Sequence, residues 1–172
     1  MRLTGLVFRA HNPRWAWAPD SGQGAADHGG RFNPVGMPAL YTSRRFETAW
    51  LEAQQAFPYK AQPLTLCAYE VDCEDVLDLT DPATLAARGI DRADLACAWF
   101  DLHSRGRTPP SWALAERLAS QGIAAIIVPS FAVGATAADI NVVFRDWARD
   151  PPHQVRVIDD EGRLPRDASS WR

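Results

Sequence analysis

The sequence predicts a mixed α+β domain. Three observations carry that expectation. Short apolar and β-branched runs of strand type recur along the chain, and Ala- and Leu-rich stretches of helical type lie between them. The length of 172 residues suits one ordinary hydrophobic core and is short for two. A hydrophobic fraction of 47% against 23% charged residues belongs to a chain that packs, since disordered chains are apolar-poor. One domain over residues 1–172 is expected, with its core at about 5–158 and a polar tail at 159–172.

The elements follow in order. Residues 3–10 read as a first strand, and a stretch rich in Gly, Pro, Asp and Ser runs from 11 to about 38. A loop of that length inside a compact domain is usually functional or mobile. Residues 38–42 read as a short strand, after which Ser43 is placed to cap a helix whose Phe46, Ala49, Trp50, Ala53 and Phe57 share one face. Strands are expected at 63–71 and 76–79, and helices at 82–104 and 111–121, the last ended by Gly122. Ile123 to Val128 is the apolar run of a strand buried on both faces, and 141–144 and 155–158 read as further strands. No internal repeat is visible.

Charge and composition exclude several function classes. A net charge of −3 and a pI of about 5.8 offer no general attraction for a phosphate backbone, so direct nucleic-acid binding is not expected. Lys60 is the one lysine, so Arg carries the positive charge; Arg suits two-pronged binding of phosphate, and codon usage explains the excess equally well. Cys67, Cys73 and Cys97 are an odd count without a Cys-x-x-Cys pair, and His11, His28, His103 and His153 are scattered, so neither a disulfide framework nor a metal site is expected. The first residues show no long apolar core and no small-residue cleavage site, and no stretch approaches a membrane span, so neither a signal segment nor a membrane anchor is expected and a cytoplasmic protein is.

The most unusual segment runs from Gly29-Gly30-Arg31-Phe32-Asn33-Pro34 to Ala39-Leu40-Tyr41-Thr42-Ser43. A Gly-rich loop there presents one Arg and leads into a strand carrying a Tyr; such glycines allow close approach of a ligand, and they equally mark ordinary turns. The spacing is not that of a dinucleotide fingerprint, since a strand follows it. Glu52 lies about a third of a turn from the centre of the apolar helix stripe, where it can border a cleft, although a helical Glu is usually just solvated. Ser130 follows a buried-type strand and Asn141 opens the next, so both can rim one pocket, or simply serve their own turns. Ser130 lacks a nucleophile elbow, and no hydrolase triad is read. Among seven tryptophans, Trp15, Trp17 and Trp171 stand in polar surroundings, while Trp50, Trp99 and Trp112 read as core.

In order, Phe8-Arg9 on a first strand, Gly-Gly-Arg-Phe-Asn-Pro-x-Gly, Ala-Leu-Tyr-Thr-Ser and a helix holding Glu52 resemble the RES domain, a family named for its Arg, Glu and Ser. Val-Pro-Ser at 128–130 and Asn-Val-Val-Phe at 141–144 resemble its closing motifs, so the likeness covers about residues 5–147. Phe32 stands where many members carry Trp. The resemblance implies an ADP-ribosyltransferase-like fold with a central split β-sheet and flanking helices. It implies a toxin that breaks the nicotinamide–ribose bond of NAD, with NAD as substrate and no metal, and a partner antitoxin of the Xre-like, DNA-binding type. The family's Arg, Tyr, Glu and Ser match Arg31, Tyr41, Glu52 and Ser130; Arg9 and Asn141 match positions that line the pocket.

Chemistry agrees with those assignments. Loss of nicotinamide leaves an oxocarbenium-like ribose carbon, which a carboxylate such as Glu52 stabilises. Arg31 and Arg9 suit the diphosphate, Tyr41 offers a π face to the cationic ring, and Ser130 and Asn141 can orient the ligand. Water, phosphate or a protein side chain can each accept the ADP-ribose, and the residues do not separate these. An RNA-cleaving toxin and a non-catalytic anion- or nucleotide-binding module remain the rival readings.

Overall fold

Strand patterning alone accounts for most of the sheet. The structure, a computed structural model, describes residues 1–54 and 61–169. β1 (Leu3–His11) pairs antiparallel with β3 (Thr65–Cys73) from Leu3 opposite Cys73 to His11 opposite Thr65, and β3 pairs in turn with β7 (His153–Val157). In the other half, β2 (Leu40–Ser43) pairs with β6 (Ile140–Phe144), β6 with β5 (Ala125–Pro129), and β5 with β4 (Val76–Asp78) in the parallel pair. The sheet order is β4-β5-β6-β2-β1-β3-β7.

The two halves meet at one register pair, Phe8 opposite Ser43. Beyond it β1 and β2 share no further partners, which is the split expected of the sheet. Arg9 on β1 and Tyr41 on β2 lie beside that break.

Side chains alternate across the strands and build two apolar layers. Ile126, Val128 and Val143 point into one with Leu77, Leu114 and Leu118, while Ala125, Ile127, Val142 and Phe144 point into the other with Val7, Tyr69 and Val155. Each fully buried aliphatic side chain contributes about 1.5–3 kcal/mol. Leu164 of the polar tail packs against the second layer.

The helices depart from expectation at three points. The stretch 82–104 is three short helices, α3 (Pro82–Arg88), α4 (Arg92–Leu95) and α5 (Trp99–Ser104). The breaks are chemical: Asp81 caps α3 by accepting from the amides of Ala83 and Thr84, Gly89 ends it in the left-handed conformation at φ +59°, and Asp91 caps α4 through Ala93 N. The long loop also holds a 3₁₀ turn, Pro13–Trp15, and a helix, α1 (Gln23–His28).

The third departure is α2 (Phe46–Ala53). Arg45, not Ser43, occupies its N-cap, and no side chain bonds there. Thr48 and Ala49 are its buried residues, whereas Phe46 and Trp50 are 52% and 41% exposed, so the expected apolar face is rotated. Thr48 is buried because its hydroxyl donates to Asp139 Oδ1 at 2.6 Å, which removes the penalty on a buried polar group. Phe57 lies outside the described residues. α6 (Pro110–Ser120) stands where expected, followed by Gly122 at φ +75°. Among the described residues no helix is long and apolar enough to cross a membrane.

Candidate functional site

Four neighbouring elements meet at the split. α2 packs on β1 and projects Glu52 over the break; β6 contributes Asn141, and Ser130 follows directly on β5. Glu52 Oε1 accepts from Ser130 Oγ at 2.6 Å and from Asn141 Nδ2 at 2.5 Å. Asn141 Oδ1 itself accepts from Ser43 Oγ at 2.7 Å, so the hydroxyl expected to cap the helix instead holds the amide that holds the carboxylate. The Thr48–Asp139 bond ties the same helix to the loop before β6.

The Gly-rich loop after α1 is fastened by a buried polar junction. Tyr41 donates its hydroxyl proton to Asn33 Oδ1 at 2.7 Å and accepts from Phe32 N at 2.9 Å. Asn33, fully buried, donates through Nδ2 to Ala25 O and Met37 O, both at 2.8 Å. Gly30 closes the loop by bonding Asn33 O at 2.9 Å, and its carbonyl accepts from Trp112 Nε1 at 2.7 Å. Only Gly fits there, since a Cβ would stand 2.5 Å from the Tyr41 hydroxyl and 2.6 Å from Asn33 Oδ1. Burial pushes the Tyr41 phenol up, so it stays neutral.

Two guanidinium groups complete the site. Arg31 donates through Nη1 to Cys97 O at 2.5 Å and sits 4.5 Å from the centre of the Phe131 ring. Burial lowers its proton affinity, and Cys97, Glu52 and Tyr41 oppose that. Arg9 donates through Nη1 to Pro19 O at 3.0 Å and Ser21 O at 3.1 Å, and burial lowers its proton affinity too. Both remain cations at neutral pH, because a guanidinium holds its proton far more tightly than any other side chain.

A cavity of about 390 Å³ is bounded by Arg9, Arg31, Tyr41, Glu52, Phe131 and Asn141, and a smaller recess of about 60 Å³ continues beside it. Arg31 and Glu52 therefore line one space. Arg9, Arg31, Tyr41, Glu52 and Asn141 all face it, and Ser130 enters through its bond to Glu52. Two cations and one fixed carboxylate suit an anionic ligand that develops positive charge at a nearby atom. Among the described residues no group of three His, Cys, Asp or Glu is placed to hold a metal ion.

Several residues of the site were not singled out by sequence reasoning. Asn33 stood inside the Gly-rich motif, where an Asn after Gly reads as a turn residue. Ser43, Thr48 and Asp139 act through tertiary partners, which periodicity does not reveal. Trp99 lines the cavity and is half-buried, and Trp112 is buried as expected; Trp50 is not core.

Comparison with known proteins gives one family and one fold. The RES domain model matches residues 6–167. A chain of the crystal structure of the M. tuberculosis MbcT–MbcA toxin–antitoxin complex superposes with a TM-score of 0.63 at 20% identity, covering 92% of this chain and 84% of that one. No curated protein matches the sequence.

Proposed function

The chain belongs to the RES domain family, and we propose that it is the toxin of a toxin–antitoxin pair, an enzyme that breaks the nicotinamide–ribose bond of NAD and transfers ADP-ribose. The observation that carries the reading is the Glu52 carboxylate, aimed by Ser130 and Asn141 into a cavity that also holds two arginines and a neutral tyrosine.

In this reading Arg9 and Arg31 bind the diphosphate by charge-assisted hydrogen bonds, and the Tyr41 ring lies against the cationic nicotinamide. The bond from ribose C1′ to the ring nitrogen breaks heterolytically. Its electron pair leaves with nicotinamide, which becomes neutral, and the positive charge passes to the ribose. Glu52 stabilises that oxocarbenium-like carbon, while Ser130 and Asn141 keep the carboxylate directed at it. An acceptor then bonds to C1′ and gives up a proton. The acceptor is a protein side chain for a mono-ADP-ribosyltransferase, and water or phosphate for a NAD glycohydrolase or phosphorylase; the cation is common to all three.

The proposed partner is an Xre-like, DNA-binding antitoxin that inserts a segment into the cleft and excludes NAD. Support for a partner comes from the fold shared with a chain of a toxin–antitoxin complex. The proposed compartment is the cytoplasm, where NAD is held and the free thiols Cys67, Cys73 and Cys97 stay reduced.

Glu52→Gln tests the assignment, because it keeps the size and the acceptor oxygen and removes the charge. Calorimetry is expected to show NAD binding within about threefold of the parent, with turnover down by about 100-fold or more, the loss of an electrostatic transition-state contact. A folded Glu52→Gln sample with parental turnover removes Glu52 from the mechanism.

A further inference from the structure

A second cavity, of about 260 Å³, lies beside the first and shares two of its walls. Arg9 lines both. So does the helix α1: Ala25 faces the Glu52 cavity, whereas Gln23 and Asp27 face the second. The far side is formed by Trp15 and Trp17, 54% and 41% exposed, on the loop after β1.

That loop is fastened just behind the indoles. Arg9 donates to Pro19 O and Ser21 O, Tyr69 donates its hydroxyl proton to Pro19 O at 2.6 Å, and Trp147 Nε1 donates to Asp20 O at 3.0 Å. Two large apolar rings are thus held on an anchored segment and left half-exposed, Trp15 with the Arg14 guanidinium 5.4 Å from its ring centre, an arrangement that folding alone does not require. Opposite them Gln23 Nε2 donates to Asp27 Oδ1 at 2.6 Å, so the polar edge of the cavity presents a carboxylate and an amide carbonyl as acceptors.

We infer that this second cavity is a purine subsite: Trp15 and Trp17 stack on the planar base, Asp27 and Gln23 accept its exocyclic amine, and Arg9 holds the diphosphate between the two cavities. The inference rests on the proposed NAD reading and names where the adenine half goes. Indole faces give base stacking without a sequence of specific contacts, and the acceptor edge selects a base that carries an amine. A dinucleotide is two planar groups joined by a diphosphate, and the protein offers two cavities joined by an arginine.

The test uses adenosine monophosphate as the probe, with isothermal calorimetry on the parent and on Trp15→Ala/Trp17→Ala. The parent is expected to bind it with quenching of tryptophan fluorescence, and the double variant to bind at least tenfold more weakly, the usual cost of lost base stacking. Nicotinamide mononucleotide is expected to bind both proteins within twofold. Inosine monophosphate, which lacks the amine, is expected to bind the parent at least fivefold more weakly, a comparison that needs no mutation. Equal adenosine monophosphate affinity in parent and variant, both with parental melting midpoints, overturns the subsite, as does equal affinity for the two purine nucleotides. Should NAD stay intact with the parent protein, the reaction reading fails, while the adenosine monophosphate measurements still decide the subsite.

Discussion

Gly30→Ala puts a methyl group where the structure has no room. The new Cβ would lie 2.5 Å from the Tyr41 hydroxyl, 2.6 Å from Asn33 Oδ1 and 2.9 Å from Tyr41 Cζ, all closer than real Cβ contacts come. Neither neighbour is a loose chain end. Asn33 is fully buried with its amide bonded to backbone carbonyls, and the Tyr41 hydroxyl bridges Asn33 and Phe32 N. Relief requires moving one of them, which breaks the Tyr41–Asn33 and Phe32–Tyr41 bonds at about 1 kcal/mol each and adds about 1–3 kcal/mol of overpacking. The sum is about 3–5 kcal/mol, or a fall in melting midpoint of about 6–20 °C for a domain of this size. Gly24→Ala is the comparison: its Cβ meets nothing within 4 Å in α1, so helix propensity alone applies and stability should hold or rise by about 0.5 kcal/mol. Urea titrations followed by circular dichroism read both. A Gly30→Ala midpoint within 1 kcal/mol of the parent would refute the close-packed junction and with it the rigid presentation of Arg31.

Two further expectations concern buried titratable groups. His11 is buried, neither ring nitrogen has a hydrogen-bond partner among the described residues, and burial together with the Arg9 charge pushes it down to about 4. The unfolded chain then takes up the proton first, near 6.5, so stability present above that pH is lost as the pH falls towards 4. Urea midpoints from pH 7 to pH 4 should fall more steeply for the parent than for His11→Leu, and parallel curves would count against it. Arg145 has all three guanidinium nitrogens buried without a hydrogen-bond partner among the described residues, and burial pushes it down to about 10. Arg145→Met keeps the stem and removes the uncompensated charge, so a gain of about 1–3 kcal/mol is expected; a loss above 1 kcal/mol would show that the charge has a stabilising partner.

Strands were legible wherever burial imposes alternation or a continuous apolar run, as in β3 and β5, while β1 was legible by its apolar and β-branched content alone. The 82–104 stretch was misread because its Ala and Leu content suits a helix throughout, while Asp81, Gly89 and Asp91, the residues that cut it, carry the local start and stop chemistry. Ser43 shows the opposite failure: a good capping residue by type, it is claimed by Asn141, 98 positions away. The candidate site was legible by motif order and not by geometry. Ser130 and Asn141 stand 78 and 89 positions from Glu52, and nothing local to any of the three shows that one carboxylate oxygen receives both donors. Trp50 was misassigned because helical periodicity marks a shared face without saying which face is buried, and Thr48 claimed the inside through Asp139.

The central claim is cleavage of NAD at C1′ beside Glu52, and mass spectrometry of the products bears on it most directly. The purified chain is incubated with NAD, with and without phosphate and cell extract, beside the Glu52→Gln protein. Free nicotinamide is expected from the parent and not from the variant, and its partner product, as ADP-ribose, its phosphorylated form or a modified protein, names the acceptor. NAD left intact by the parent under every condition, extract included, would contradict the account and favour an RNA-cleaving or purely ligand-binding protein.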